Sequence, residues 1–395
     1  MATPNDCPSG LASRPTGRSG KSACQKSRRS ARLRLACLPA VVVLLWSVPA
    51  RADQPKISNA RLETRSAAQG LEPEFRNFLA AQADPGWLAY SVPALPGHHP
   101  LCCGEGWTDD DRDRCTRCAL ESGDGSNHTV QGSGQDSTRL EGPQDMAIFL
   151  RVADHGVTKI RVLSPDCQVD AGGLRVLWLT EVKPAESVVV LTTLVPAGFS
   201  AEGEGRKVAH GALAAIAMQA DPAADRALDA FTAPSQPEKL REQAAFWLGS
   251  ARGAAGLAAL ERMAKSDPSN HVRQQVAFAY SVSREPAAVD DLIRMAHDDE
   301  NEHVRGQALF WLAQKAGKRA GQAITDAIEN DPDTALKKSA VFALTQMPHD
   351  EGIPLLIQVA RDNKNPAVRK QAFFWLGQSK DPRALAFFEQ VLGSR

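Results

Sequence analysis

One spacing constrains this chain more than any other feature. From residue 208 to the C-terminus the same ten-residue phrase returns every 32 residues. The copies are LREQAAFWLG from Leu240, VRQQVAFAYS from Val272, VRGQALFWLA from Val304, LKKSAVFALT from Leu336 and VRKQAFFWLG from Val368, with VAHGALAAIA from Val208 as a degenerate first copy. Each clear copy opens on Val or Leu and follows with a base: Arg241, Arg273, Arg305, Lys337 or Arg369. Four residues after the start stands Ala244, Val276, Ala308, Ala340 or Ala372, and six after it always a phenylalanine, Phe246 through Phe374. A fixed period of this size specifies a solenoid, in which each unit buries its apolar face only against its neighbours.

Within a unit the apolar residues at offsets 0, 4 and 8 share one helical face. Asn365-Pro366 is a helix start, because Asn caps free backbone N–H groups and Pro fits the first turn. Asp381-Pro382 starts the second helix of that unit, and Asp221-Pro222 stands at the same offset in the first copy. The second helix keeps an apolar residue twenty after the start: Leu228, Leu260, Leu292, Ile324, Leu356 and Phe388. Trp247, Trp311 and Trp375, in alternate units, read as core residues rather than a ligand strip. The base at offset 1 reads as a partner for neighbouring turns or carbonyls rather than a phosphate ladder.

The stretch from Asn365-Pro366-Ala367-Val368-Arg369 to Leu376-Gly377 resembles HEAT-like repeats of the short, phycobilisome-lyase type. The resemblance covers residues 205 to 395 and implies a right-handed α-solenoid that serves as a binding scaffold, its second helices lining a concave face. HEAT-like hydroxylases use His-Glu pairs as iron ligands, and this sequence contains no His-Glu dipeptide. The order of WLAYSVPALPG, a Cys-Cys pair, SPDC and DAGG is similar to exported bacterial proteins of no assigned activity that join a small domain to such repeats.

The formal charge of zero hides an asymmetry. Residues 1–52 carry nine Lys or Arg and one acid, a net +8, which leaves −8 on residues 53–395. SRRSARLR (27–34) precedes the apolar LACLPAVVVLLWSVPA (35–50) and then Ala50-Arg51-Ala52. This order is that of a secretory signal removed before Asp53. The apolar run falls short of the roughly 20 residues a bilayer span needs. The expectation is a periplasmic or secreted protein with no stable membrane span after cleavage. The acidic body argues against nucleic acid, which requires a basic stripe.

Residues 53–200 show no repeat and read as a small α+β domain. GLEPEFRNFLAAQ (70–82) predicts a helix, WLAYSVPAL (87–95) and LRVLWLTEV (174–182) predict strands, and residues 146–164 predict a hairpin about Asp154-His155-Gly156. PAESVVVLTTLV (184–195) is strand-like in composition, although Pro184 equally suits a helix start. Gly104 to Pro143 reads as a long loop, and GFSAEGEG (198–205) as a linker into a solenoid spanning 201–395.

Five cysteines follow the leader: Cys102, Cys103, Cys115, Cys118 and Cys167. In an oxidising compartment clustered cysteines favour disulfides. Five is odd, so at least one thiol stays free or pairs with another chain; pairing Cys167 with Cys102 or Cys103 closes a loop of roughly 65 residues, worth about 4 kcal/mol in the loop-entropy picture, and Cys115 and Cys118 then pair with each other or with the leftover cysteine. Two alternatives stay open. A zinc site drawn from Cys102, Cys103, Cys115 and Cys118, with His98 and His99 as substitutes, suffers from the awkward reach of adjacent cysteines. A reactive Cys115-Thr116-Arg117-Cys118, assisted by Arg114 and Arg117, is opposed by Asp109, Asp110, Asp111 and Asp113.

The sequence holds no G-x-S-x-G, Walker loop or H-E-x-x-H. The leading expectation is a non-enzymatic scaffold that binds a protein partner and needs no metal or other cofactor. The binding residues expected on the second helices are Arg262, Asp291, Arg294, Gln322, Gln358 and Arg361. The alternative is a metal-binding or thiol-redox module at residues 98–118, docked by the solenoid. Phe387, Phe388, Val391 and Leu392 have no following unit to cover them, so a homodimer through the C-terminal repeat is a further expectation.

Overall fold

The computed structural model describes residues 54–96, 114–115, 118–121, 138–139, 145–199, 203–315 and 317–393. The expectations for the leader, for His98 and His99, and for the side chains of Cys102, Cys103 and Cys115 lie outside the described residues. What is described is mainly α, a helical stack preceded by an α/β region.

The strands are β1 (Lys56–Ser58), β2 (Arg61–Ser66), β3 (Gly86–Pro93), β4 (Arg114–Cys115), β5 (Cys118–Ala119), β6 (Thr138–Arg139), β7 (Asp145–Ala153), β8 (Gly156–Leu163), β9 (Gln168–Asp170) and β10 (Arg175–Thr180). Five of them form one mixed sheet in the order β2-β10-β3-β7-β8. β10 runs parallel to both β2 and β3, and β3-β7-β8 is an antiparallel meander. The hairpin turns where the sequence places it. Asp154 and His155 both adopt positive φ, 50° and 60°, the two-residue geometry whose twist suits flanking strands.

Alternation along these strands buries both faces of the sheet. Leu88, Tyr90, Val92, Met146, Ile148, Leu150, Leu177 and Leu179 enter the large core under the helices. Trp87, Ala89, Ala147, Phe149, Val176 and Trp178 enter a second core. There Phe149 stands between Trp87 and Trp178, ring centroids 6.3 and 6.1 Å away. A small parallel sheet, β1-β9-β5, brings Val169 to this second core, joined by Leu120 and Cys167. Neither β1 nor β2 carries an apolar alternation that would mark it in the sequence, and all six residues of β2 are exposed.

Two helices flank the sheet: α1 (Leu71–Ala81) and α2 (Pro184–Thr192). The strand-like 184–195 is thus mostly helix, a correction with a local cause. β10 is already paired on both edges, so the chain beyond it cannot fold back onto β10 as a hairpin. It reverses at Glu181, φ 60°, and Pro184 opens the helix from the extended Lys183. Glu186 then accepts the Leu71 backbone N–H at 2.8 Å, capping α1, whose own N-cap Gly70 sits at φ 116° and offers no side chain. The Tyr90 and Ser187 hydroxyls, 3.0 Å apart, tie β3 to α2 in the core.

After α3 (Pro196–Phe199) the repeats follow as helical pairs: α4 (Glu204–Met218) with α5 (Pro222–Phe231), α6 (Glu238–Ala251) with α7 (Gly253–Ser266), α8 (Asn270–Val282) with α9 (Ala288–Asp298), α10 (Glu302–Lys315) with α11 (Gly317–Asn330), α12 (Thr334–Leu344) with α13 (His349–Asp362), and α14 (Pro366–Gln378) with α15 (Pro382–Gly393). Asp221, Ser269, Asp333 and Asn365 cap their helices with side-chain oxygens. The core residues fall at the sequence offsets. Leu240, Val272, Val304 and Val368, with Ala244, Val276, Ala308, Ala340 and Ala372, are fully buried.

The core runs without a break from the sheet into the stack. The anticipated boundary at residue 200 falls between α3 and α4, and α4 packs directly on β8. The end of β3 continues the tie: Ala220 N–H donates to Pro93 O at 2.9 Å, and Leu95 N–H to Met218 O at 2.8 Å.

Candidate binding surface

Successive first helices touch along much of their length, whereas successive second helices touch in few places. At Gly249 the backbones of α6 and α8 come so close that an added Cβ would lie 2.3 Å from Ala279 O. The first helices therefore form the tightly packed side of the stack, and the second helices, expected to carry the binding residues, stand further apart. The periodicity of a single unit carries no information about the spacing between units.

The base at offset 1 forms a ladder inside the stack. Arg241 donates to both oxygens of Asp267, at 2.8 and 3.1 Å, and to Gln236 O at 2.7 Å. One unit on, Arg273 repeats the pattern with Asp299 and with Asp267 O. Arg305 is looser, 3.4 Å from Asp331, while it keeps the carbonyl of Asp299. In the last two units the carboxylate is missing. Lys337 keeps only a carbonyl, Glu329 O, and Arg369 bonds Asn363 O and Lys364 O. The same acids accept N–H groups of their own turns, Ser269 on Asp267 and Asn301 on Asp299. These bases are structural, as the carbonyl reading of the sequence expects.

The Phe and Trp residues form a second ladder on the first helices. Phe246 stacks on Phe278 (6.0 Å) and Phe278 meets Trp311 (4.7 Å). Phe310 stacks on Phe342 (6.1 Å) and Phe342 meets Trp375 (5.1 Å). Trp247 is buried, and Trp311 and Trp375 pack against the core, their indole nitrogens buried without a hydrogen-bond partner. Most of their surface serves cohesion.

The six second-helix residues separate into distinct environments. Arg262 is exposed and pairs with Asp229 of the preceding unit. Arg294 pairs with Asp291, whose side chain is buried. Gln322 and Gln358 are exposed. Arg361 donates to Gln390 at 3.2 Å and lies over the Phe387 ring. Arg262 and Arg361 thus clip one second helix to another. Around Asp291 and Arg294 the gap between α7 and α9 widens into a cavity of about 510 Å³, floored by Tyr280 of α8. Tyr280 escaped the sequence reading. The available signal was a departure from the repeat: other units carry Ile216, Leu248, Leu312, Leu344 and Leu376 at that offset.

The open end of the stack is partly self-covered, which corrects the expectation for Phe387. This residue is buried against Phe373, centroids 5.5 Å apart, and under Arg361. Leu392, Leu385 and Phe374 stay exposed, at 71%, 63% and 53%.

Of the cysteines, Cys118 is disulfide-bonded and Cys167 keeps its thiol, so the expected bridge from Cys167 to Cys102 or Cys103 is not formed. Cys167 points into the second core beneath the sheet, and burial pushes its thiol up to about 12. The segment 118–121 is pinned across the same core. Trp87 Nε1 donates to Glu121 at 2.9 Å, Arg151 pairs with Glu121, and β5 pairs with β9. Among the described residues no cluster of three His, Cys, Asp or Glu is placed to hold a metal, and no helix is long and apolar enough to cross a membrane.

This architecture is that of a HEAT-like repeat protein. A sequence model of the HEAT repeats matches residues 225–313 and 321–395. No curated protein matches the chain. Among solved structures, human deoxyhypusine hydroxylase in complex with glycerol is similar over 52% of this chain and 90% of that one, at 14% identity and a TM-score of 0.25. Likeness at that level carries no argument about activity. HEAT repeats in general are interaction scaffolds rather than catalysts.

Proposed function

We propose that this chain is an exported, non-catalytic scaffold whose solenoid binds a protein partner. The observation that carries the reading is the stack itself. Its conserved-offset residues, the Arg–Asp ladder and the aromatic ladder are spent on cohesion, while splayed second helices leave a long polar surface with Gln322 and Gln358 exposed. Repeat arrays present extended surfaces of this kind to other macromolecules. The net −8 of the body supports a protein rather than nucleic acid as partner. The ordered basic, apolar and small-residue segments of the leader support export, and the bonded state of Cys118 suits an oxidising compartment. The exposed Phe374, Leu385 and Leu392 make a second copy of the chain one partner for the C-terminal end.

The test is the intact mass of the native exported protein, with thiols alkylated before and after reduction, followed by crosslinking in cell envelopes. A mass beginning at Asp53, no bound metal and one crosslinked protein at constant ratio support the scaffold. A zinc mass lost on denaturation, or four or five alkylatable thiols without reduction, overturns it in favour of chemistry at residues 98–118.

A further inference from the structure

The unit formed by α8 and α9 departs from the repeat twice, and the two departures meet. At offset 8 the other units bury Ile or Leu, whereas this one buries Tyr280. At offset 19 the others carry Ala227, Ala259, Ala323, Leu355 and Phe387, whereas this one carries Asp291. Asp291 is only 4% exposed, and both residues line the cavity between α7 and α9. One carboxylate oxygen, Oδ1, takes Arg294. The other, Oδ2, is buried and accepts no hydrogen bond. A buried carboxylate oxygen without a donor costs free energy that the alanine of the neighbouring units would not. An arrangement of that kind is retained where a ligand supplies the donor.

The surroundings define the ligand. Of the charged residues lining the cavity, Asp267 is held by Arg241, Asp299 and Glu300 by Arg273, and Asp291 by Arg294, which leaves Glu261 and Asp298 against the one lysine, Lys265. The ligand is therefore a cation. A guanidinium binds best through two parallel acceptors. Arg294 already occupies one oxygen here, so a single acceptor remains, which suits the compact ammonium of lysine. A metal ion would require several free oxygens at that depth. Ala264 and the buried Met295 supply apolar wall, against which a four-carbon stem can lie.

We propose that the cleft between α7 and α9 receives a lysine side chain of the protein partner, its ammonium donating to Asp291 Oδ2 and its stem lying against Ala264 and Met295. The proposal rests on the scaffold reading. It names one contact by which the second-helix side selects its partner.

The experiment uses the full chain with ring-labelled tyrosine and n-butylammonium as probe, with n-butanol and butylguanidinium as comparisons. The chain has two tyrosines, so Tyr90→Phe assigns the Tyr280 signal. The expected result is a saturable shift of Tyr280 with butylammonium, weaker with butylguanidinium and absent with butanol. Asp291→Asn weakens binding by at least about tenfold, a difference of 1.4 kcal/mol. Asp291→Ala, which restores the residue of three other units, abolishes the shift while the melting temperature holds or rises. No saturable shift in the native chain, or an unchanged shift in folded Asp291→Asn, overturns the proposal. A response as strong to butylguanidinium reduces the cleft to a diffuse acidic surface and overturns it equally. A crosslinked partner that persists without amine binding removes the cleft and leaves the scaffold. Amine binding with no partner removes the scaffold reading instead.

Discussion

In the sheet, Trp87, Phe149 and Trp178 meet in a contact made nowhere else among the described residues. In the stack, Ala244, Val276, Ala308, Ala340 and Ala372 fill the same place in five successive units, all fully buried. The sheet region depends on contacts between residues far apart in sequence, such as Arg175 with Glu63 and Tyr90 with Ser187. The stack depends on contacts between neighbours about 26 to 32 residues apart. A fault in the first has no substitute. A fault in the second is shared with adjoining units and weakens toward the end, where the Arg–Asp ladder runs out.

The comparison can be broken most directly in the second core. Phe149→Ala removes the ring between two tryptophans and should cost about 3–5 kcal/mol, read from urea unfolding. A loss under about 1 kcal/mol would mean that this core collapses around the gap as freely as a surface site.

The ladder gives a graded test within the stack. Asp267→Ala leaves the buried Arg241 guanidinium without its carboxylate and should cost about 3 kcal/mol. Asp331→Ala, where the partner Arg305 is 3.4 Å away and more exposed, should cost about 1 kcal/mol or less. Equal losses would show that all rungs carry the same load, and the gradient along the stack would be discarded.

Lys315 sharpens the link between adjacent units. Its ammonium donates to Ser281 O at 2.8 Å and to the carbonyls of Tyr280 and Ser283, closing the end of α8 from α10. Lys315→Met should open the α8 C-terminus locally, at about 1–2 kcal/mol, with faster amide exchange there and an unchanged sheet.

Cys167 reports on the sheet region alone. With its thiol pushed up to about 12 and buried, it should resist iodoacetamide at pH 8 in the native protein and react on denaturation without reductant. Rapid native alkylation would mean that the second core opens.

The smallest effect is expected at the far end. Arg383 and its backbone N–H hold the Asp381 carboxyl down to about 2, against a usual 3.8. A depressed carboxyl stabilises the folded state above the unfolded value. The support for α15 should therefore be intact above about pH 4 and disappear as pH falls through about 2. Amide exchange in residues 383–386 over that range provides the measurement.

Much of this was legible from the residues. The 32-residue period located the helical pairs, the caps at Asp221 and Asn365, and the buried offsets. The hairpin turn was readable because Asp and His tolerate the left-handed conformation that a two-residue turn demands. The helix at 184–192 was not, since Val188, Val190 and Leu191 suit a strand equally, and the reversal at Glu181 with the packing of α2 in the core decides for the helix. β1 and β2 were silent because edge strands with exposed side chains carry no apolar alternation. Asp291 and Arg294 were selected as surface residues, yet the first is buried. Its partner Tyr280 passed as one more apolar position.

The sequence by itself determined the units: where each helix begins, which face it buries and which residue closes it, because those follow from local backbone chemistry and from repetition. Only the tertiary structure decided how the units lean on one another. The tight approach of first helices at Gly249 set the closely packed side of the stack, and the wider spacing of the second helices opened the cleft over Tyr280 and Asp291. It also left Cys167 as a buried thiol in the core beneath the sheet. The physical reason is common to all three. Packing between segments distant in sequence is fixed by volume and backbone approach in three dimensions, and neither is encoded in the period of any one segment.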